Sequence, residues 1–429
     1  MDEGRSGAAY RAMAETFDAD VIIAGAGMAG ATLALALARA GLRPVLIDPA
    51  PFEAQLAPTF DGRASAVAYA AFRQWRVLGA GEVLAAQAQR IEQILVTDGR
   101  APGAAAAPPH GFYLRFDAAE IAATDDGEPL GYMLENRHIR AALAAAVEAA
   151  GIRVLAPAKV TAVRTEARAA VVVLADGREL TAPLVVGAEG RGSIVRRAAG
   201  IGAVGWDYKQ TGVVATVRLA RPHNGVAYEY FLPSGPFAIL PLRDDRASLV
   251  WTETPDRAQA LSEARPEVFH AHLQRRVGDL IGPAEREGAV FTYPLALQMA
   301  ERFTAPRIAL LGDAAHGVHP IAGQGLNLGL KGAAALAETI ADAARLGEDF
   351  GSAVVLERYA RWRRFDTATL SAGMDAFVHL FSNDHSLIRL ARGVGMAGVN
   401  RIGPARRFFM REAGGASGDL PRLLRGEAI

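Results

Sequence analysis

The chain contains no cysteine in 429 residues. That absence excludes disulfides, thiolate metal sites, cysteine nucleophiles and iron–sulfur clusters together. Lysine is almost missing as well, since only Lys159, Lys209 and Lys331 stand among 46 basic residues. Beside the alanine excess, this reads as a bias of the gene rather than as a demand for guanidinium chemistry. Net charge is also lacking, because 46 acidic residues balance the basic ones. No global attraction to nucleic acid or acidic lipid follows, and nucleic acid is not an expected partner. A secretory signal is not expected either: Met1 to Phe17 mixes acids, Arg5 and Arg11 with small residues and reads as having no apolar core. The expected location is the cytoplasm, with residues 1–17 as a flexible lead.

Apolar residues are what the chain has in quantity, at 51% against 21% charged. That is enough for two or three domains around a buried core and too much for disorder. One stretch, Val21 to Ala38, has no charged residue over 18 positions, the lower length for a spanning helix. Its glycines argue otherwise. Asp20 to Ala24 is a β-branched run, then come Gly25-Ala26-Gly27-Met28-Ala29-Gly30, a helical stretch to Ala40, Gly41 as a stop, and a second strand from Pro44 to Ile47 ending at Asp48. Strand, tight turn, helix and strand make a dinucleotide-binding unit. Gly25 turns the chain, Gly27 lets backbone approach a pyrophosphate, and Gly30 lets the helix pack on the sheet; the N–H groups of Met28 and Ala29 open the helix toward the anion. Asp48, 23 positions after Gly25, is placed for ribose hydroxyls and would repel a ribose phosphate. The pattern fits NAD and FAD alike.

Further along, helices are expected over Ala64 to Leu78 and Asn136 to Ala150. Strand-like runs cover Lys159 to Leu174 and Arg178 to Val186, joined at the turn Asp176-Gly177. After Trp206 the chain becomes β-rich, with Gly212 to Leu219, Val226 to Leu232, Pro236 to Leu242 and Ala247 to Thr252. A helix is expected over Pro266 to Val277, a buried strand over Arg307 to Leu311, and a long helix from Gly325 to Arg345. The last strand ends at Gly312-Asp313, and the loop that follows runs His316-x-x-His319-Pro320-Ile321-Ala322-Gly323-Gln324-Gly325-Leu326-Asn327. Asp313 suits a ribityl or ribose hydroxyl. The helix start suits a flavin pyrimidine edge, where its N–H groups stabilise negative charge on reduced flavin.

At these residues the sequence resembles the ubiquinone-biosynthesis flavoprotein hydroxylases, within the para-hydroxybenzoate hydroxylase-like group. The signature H-P-[LIV]-[AG]-G-Q-G-x-N-x-G-x-x-D is matched from His319 to Gly329, and Gly332 replaces its final acid. Asp61-Gly62-Arg63-Ala64 is similar to the family's flavin-contacting arginine segment, and Leu134-Glu135-Asn136-Arg137 to its second arginine contact. Phe231 to Pro236, Tyr293-Pro294-Leu295, Arg361 to Asp366 and Leu380 to Asn383 are similar to further family segments, so the likeness runs from about residue 18 to 426. The family's middle D-G motif reads Glu189-Gly190 here.

The resemblance implies an α/β (α+β) fold: a Rossmann-like FAD-binding domain with an inserted β-sheet substrate domain and a helical C-terminal segment. The expected cofactor domain takes residues 18–100, 130–205 and 300–350, the substrate domain 206–299 with 101–129, and the helical region 351–429. It further implies FAD as cofactor, NAD(P)H as transient electron donor, and hydroxylation of an electron-rich ring of a prenylated phenol by oxygen taken from O2. The expected cofactor residues are Gly25, Gly27, Met28, Ala29, Gly30, Asp48, Arg63, Arg137, Glu189, Asp313, Gly323, Gln324, Gly325, Leu326 and Asn327, with Phe231, Phe237 and Pro320 as pocket walls. No general base is assigned. Rival readings are hydroxylation of a soluble aromatic compound and a non-catalytic flavin-binding subunit of a ubiquinone-biosynthesis complex. His316 with His319, and His270 with His272, lack a third ligand at recognised spacing, so no metal is expected. Ser193 is outside any G-x-S-x-G elbow, which disfavours a hydrolase.

The zero net charge is an average of unlike parts. From Ser386 to Ile429 eight arginines face three acids, a balance of +5 that leaves −5 for the rest. With Leu387, Leu390, Ile402, Phe408, Phe409 and Met410 interleaved, residues 386–429 are expected either to rest peripherally on the inner face of the membrane or to pack as a helical tail.

Overall fold

A computed structural model describes residues 17–57, 61–98, 113–121, 127–232, 234–277, 281–318, 324–364 and 398–429. At its centre is a six-stranded sheet in the order Thr304–Ala305, Ile308–Leu310, Leu184–Gly187, Val21–Ala24, Pro44–Ile47, Arg153–Leu155. Every pairing is parallel except the edge pair formed by Thr304–Ala305. Parallel strands need crossovers that cover both faces, so the four inner strands read as unbroken apolar runs and are buried throughout. The crossover between Val21–Ala24 and Pro44–Ile47 is the helix Met28–Arg39. Val21 to Ala38 is therefore a buried strand, a glycine turn and a helix, and among the described residues no helix is long and apolar enough to cross a membrane.

A second sheet has eight strands in the order His316–Gly317, Ala284–Ala300, Ala203–Leu219, Arg246–Glu253, Gly235–Leu242, Val226–Leu232, Gln93–Asp98, Tyr113–Asp117. Side chains alternate across such a sheet. Val213, Phe237, Leu249 and Trp251 pack on Ala258, Leu261, Phe269 and Leu273 of the helices Pro255–Ser262 and Pro266–Val277. The opposite face carries Phe231, Ala238, Val250 and Phe291, and its Ala227 and Leu242 join the large core around the six-stranded sheet. Two three-stranded sheets complete the fold: Ala64–Ala68, Gly131–Glu135 and Gln89–Ile91 in one, and Glu179–Ala182, Ala170–Leu174 and Val160–Thr165 in the other.

Several expected elements are redrawn. Ala64–Ala68 is a strand paired with Gly131–Glu135, and the helix begins only at Tyr69. Alanine-rich sequence favours a helix, but here strand pairing decides. The two long strand-like runs each divide, at residues 166–169 and at Pro183, leaving the Asp176-Gly177 hairpin between the inner pair with Gly177 at φ +87°. Ala284–Ala300, 17 residues long, was not anticipated, because Pro294 and three charges between Glu285 and Glu287 mask its alternation.

Candidate active site

The Val21–Ala24 strand delivers the glycine turn. Gly25 has φ +103°, and a Cβ there would lie 2.4 Å from the Ala188 carbonyl oxygen. At Gly30 a Cβ would lie 2.0 Å from the Gly25 oxygen, so the helix can approach the turn only as glycine. Gly27 is different: nothing lies within 4 Å of its would-be Cβ. It is the N-cap of Met28–Arg39, with no side chain bonded to the helix end. The first-turn N–H groups therefore face open space at the positive end of the helix dipole, an arrangement that can receive a pyrophosphate. Asp48 braces the turn, accepting from Ala26 N at 2.8 Å through Oδ2 and from Ala50 N at 2.9 Å through Oδ1.

Two other segments meet at this turn. The Ala29 Cβ lies 3.5 Å from a Cβ built on Gly312 and 3.6 Å from one built on Gly329. Absent side chains at those positions thus bring the Asp313 turn and the Gln324–Arg345 helix against the N-terminus of Met28–Arg39. Gly25, Gly27, Met28, Ala29, Gly30, Asp48 and Asp313 with the helix start Gln324-Gly325-Leu326 form one neighbourhood. Asp313 is half exposed by surface area, yet burial raises its pKa against the opposing charges of Arg191 and Arg63. Accessible but desolvated, it faces the space between the glycine turn and the Arg63 segment, called the cleft below.

Across the cleft, Asp61 is a hub. Its buried carboxylate accepts from Arg63 Nε at 2.8 Å, Arg63 Nη2 at 2.9 Å, Asn136 Nδ2 at 2.9 Å and Arg140 Nη2 at 2.6 Å. Burial alone would raise its pKa, but hydrogen bonds and charge from Arg63, then Arg140 and Asn136, hold the carboxyl far below the usual range. Asn136 and Arg140 are four apart on the helix Asn136–Ala149, hence on one face. Arg137, the expected contact, pairs with Glu135 at 2.8 Å, and Arg140 shares the Asp61 carboxylate with Arg63. Arg63 lies over the Tyr293 ring, whose hydroxyl is 3.4 Å from Asp61.

Three further expected residues have partners of their own. Glu189 turns back, its Oε1 accepting from Val195 N at 2.8 Å, so its carboxylate serves the helix Ile194–Ala198. The Asn327 amide is occupied by backbone, accepting from Ala68 N at 2.9 Å and donating to Ala66 O at 3.0 Å. It pins the Gln324–Arg345 helix to the end of Ala64–Ala68. Phe237 points to the helix-covered side of the eight-stranded sheet, edge-on to Trp251 at 5.5 Å, and does not line the cleft. Phe231 is on the cleft side, packed on Val96 and Leu114. Pro320, Gly323 and His319 lie outside the described residues. At Gly332, where the resembling family has an acid, a Cβ would sit 3.1 Å from Leu311 Cδ1 and 3.7 Å from the Tyr359 hydroxyl. His316 is fully enclosed, and burial together with the Arg363 charge pushes its pKa down to about 4. Among the described residues no three metal-type ligands cluster.

An open glycine turn, an uncapped helix end, a braced acid and a cleft wall of arginine and aspartate together fit a dinucleotide with an extended ring system. Comparison with known proteins agrees. A family model described as FAD binding domain matches residues 18–366. The chain is 44% identical over 412 residues to the ubiquinone hydroxylase UbiL of Rhodospirillum rubrum, covering 95% of this chain and 93% of that protein. It is 34% identical over 398 residues to the 3-demethoxyubiquinol 3-hydroxylase of Escherichia coli, covering 92% and 98%. Among solved structures, p-nitrophenol 4-monooxygenase PnpA of Pseudomonas putida shares the fold, with a TM-score of 0.76, 18% identity and coverage of 94% and 99%. The chain belongs to the FAD-binding-domain family and is an FAD-dependent monooxygenase of the ubiquinone-hydroxylase type.

Proposed function

We propose that this protein hydroxylates the aromatic head group of a polyprenylated phenol or benzoquinone precursor of ubiquinone, using FAD, O2 and electrons from NAD(P)H. The observation that carries the reading is near-full-length similarity to a ubiquinone hydroxylase at 44% identity. The cleft supports it: beside Arg63 the eight-stranded sheet presents an apolar wall of Phe291, Val214, Val250 and Ala238, suited to a flat ring.

In this reading Gly25, Gly27, Met28, Ala29 and Gly30 hold the FAD pyrophosphate, and Asp48 the adenosine ribose. Asp313 takes the ribityl chain, Gln324 to Leu326 the flavin edge, and Arg63, fixed by Asp61, the cofactor side of the cleft. FAD when bound supplies the redox and oxygen chemistry. The chain's own part is to orient the ring, exclude water and manage the ring's proton. Residues 18–100, 130–205 and 300–350 then act as the cofactor domain, and 206–299 with 101–129 as the substrate domain. A strain deleted for the gene should accumulate a quinone precursor short of one hydroxyl. A normal quinone profile would contradict the reading.

A prenylated substrate resides in lipid, and the C-terminal region supports access to it. Ile402, Phe408 and Phe409 are exposed by 56%, 60% and 45%, beside Arg401 and Arg407. We propose that this patch on and beside Gly403–Ala413 rests on anionic membrane. Phe408→Ser with Phe409→Ser should abolish flotation with liposomes containing anionic lipid; unchanged flotation would refute the contact.

A further inference from the structure

Buried carboxylates in this protein are generally held by cations: Asp20 by Arg43, Asp61 by Arg63 and Arg140, Glu128 by Arg76 and Glu253 by Arg276. Glu229, in the middle of Val226–Leu232, has no ion pair and no hydrogen bond to its carboxylate among the described residues, and desolvation raises its pKa. Its place in the sheet is well defined. It is flanked by Val96 on one neighbouring strand and Ala238 on the other. The same rung runs on through Leu114 at one end and through Val250 and Val214 to Phe291 at the other.

That rung belongs to the cleft face. Phe291 at its end occupies the space where a Cβ on Gly62, between Asp61 and Arg63, would be. One rung to one side, Ala227 and Leu240 are packed into the large core. One rung to the other, Phe231 packs on Val96 and Leu114. Val96 and Leu114 on its own rung also touch the large core, so Glu229 stands at the margin of that contact. It is partly exposed on that face. Tyr228 and Tyr230 alternate to the helix-covered face. The nearest titratable residue in register on the adjacent strand is Asp98, opposite Phe231.

A carboxylate on an apolar wall without a partner is costly, and no contact among the described residues explains it. We infer that Glu229 is the catalytic base for the ring hydroxyl of the phenolic substrate, accepting its hydrogen bond and then its proton. The inference rests on the proposed phenol hydroxylation. In the step the phenol O–H bond breaks, the proton passes to a Glu229 carboxylate oxygen, and the bonding pair stays on the phenol oxygen. No electron enters or leaves the protein. The resulting phenolate donates electron density to the ring carbons ortho and para to it, which favours attack by electrophilic oxygen. Desolvation pushes Glu229 up to about 8, close to working pH, where a general base is most effective.

The test uses the full-length, FAD-loaded protein, a short-chain prenylphenol, NAD(P)H and O2, with Glu229→Gln and Glu229→Asp. Glu229→Gln should bind FAD one to one and melt no lower than the parent. Its hydroxylation kcat should fall about 100-fold or more, and the rise of kcat with pH near 8 should vanish. Glu229→Asp should keep that rise at a reduced rate. Glu229→Gln with the parental kcat, or with a lower kcat but an unchanged pH rise, would overturn the inference. So would loss of FAD or of thermal stability in step with activity, which marks a structural role. A parent protein that hydroxylates no prenylphenol would remove the proposed function, and this inference with it.

Discussion

The Arg63 guanidinium lies 4.7 Å from the centroid of the Tyr293 ring, and both side chains reach the Asp61 carboxylate. Arg63 precedes Ala64–Ala68 of a small sheet on the cofactor side, whereas Tyr293 belongs to Ala284–Ala300 of the eight-stranded sheet. One buried acid therefore joins the two walls of the cleft.

Asp61→Asn keeps the shape and removes the charge, leaving Arg63 and Arg140 without their counter-ion. Half exposure of Arg63 limits the loss to about 3 kcal/mol, the low end for breaking a buried pair. Urea denaturation at pH 7 checks this. Because the folded pKa is depressed, the stabilisation is complete above the ordinary value of 3.8 and is lost as pH falls toward the folded value. The difference between parent and variant should shrink below about pH 4.

Gly27 and Gly30 should fail differently when substituted. Gly27→Asp meets no atom and adds a capping side chain, so the apoprotein should be as stable as the parent or up to about 1 kcal/mol more so, while FAD binding is lost through charge repulsion. Gly30→Ala sets a Cβ 2.0 Å from the Gly25 oxygen and should destabilise the apoprotein itself. Apoprotein melting and FAD titration separate the two.

Restoring an acid at position 332 should harm this protein. The Tyr359 hydroxyl, bonded to Leu310 O at 2.9 Å, and Leu311 already fill the space. Gly332→Asp is expected to cost about 1–3 kcal/mol from overpacking. Gly332→Ala, with a gain in helix propensity of up to about 1 kcal/mol, should cost less. A higher melting temperature for Gly332→Asp would show that the site accommodates the acid.

His316 should set an acid-side slope in stability. Its folded pKa of about 4 is below the ordinary 6.5, so between those values the unfolded chain binds a proton that the folded one does not. Stability should fall as pH drops from 6.5 towards 4 and level off beyond. Denaturation across this range should show a flatter slope in His316→Gln.

The glycine turn and the Asp313 segment were legible in the sequence because a positive φ or a backbone contact near 2 Å leaves a residue-type signature. Faces and partners were not. Phe231 and Phe237 look equivalent as strand phenylalanines, and only the pairing register turns one to the face opposite the helices and the other under them. The Asp61 hub depends on Asn136 and Arg140, 75 and 79 residues away, and the motif that points to Arg137 gives no sign of Arg140. Ala64–Ala68 was hidden by alanine's helix propensity, and Glu229 by neighbours that give no sign of which charge lacks a partner.

The central claim is decided by oxygen transfer. Purified FAD-loaded protein given a prenylphenol, NAD(P)H and isotopically labelled O2 should yield a product carrying one labelled oxygen atom on the ring. Oxidation of NAD(P)H without labelled oxygen in the product would contradict the account.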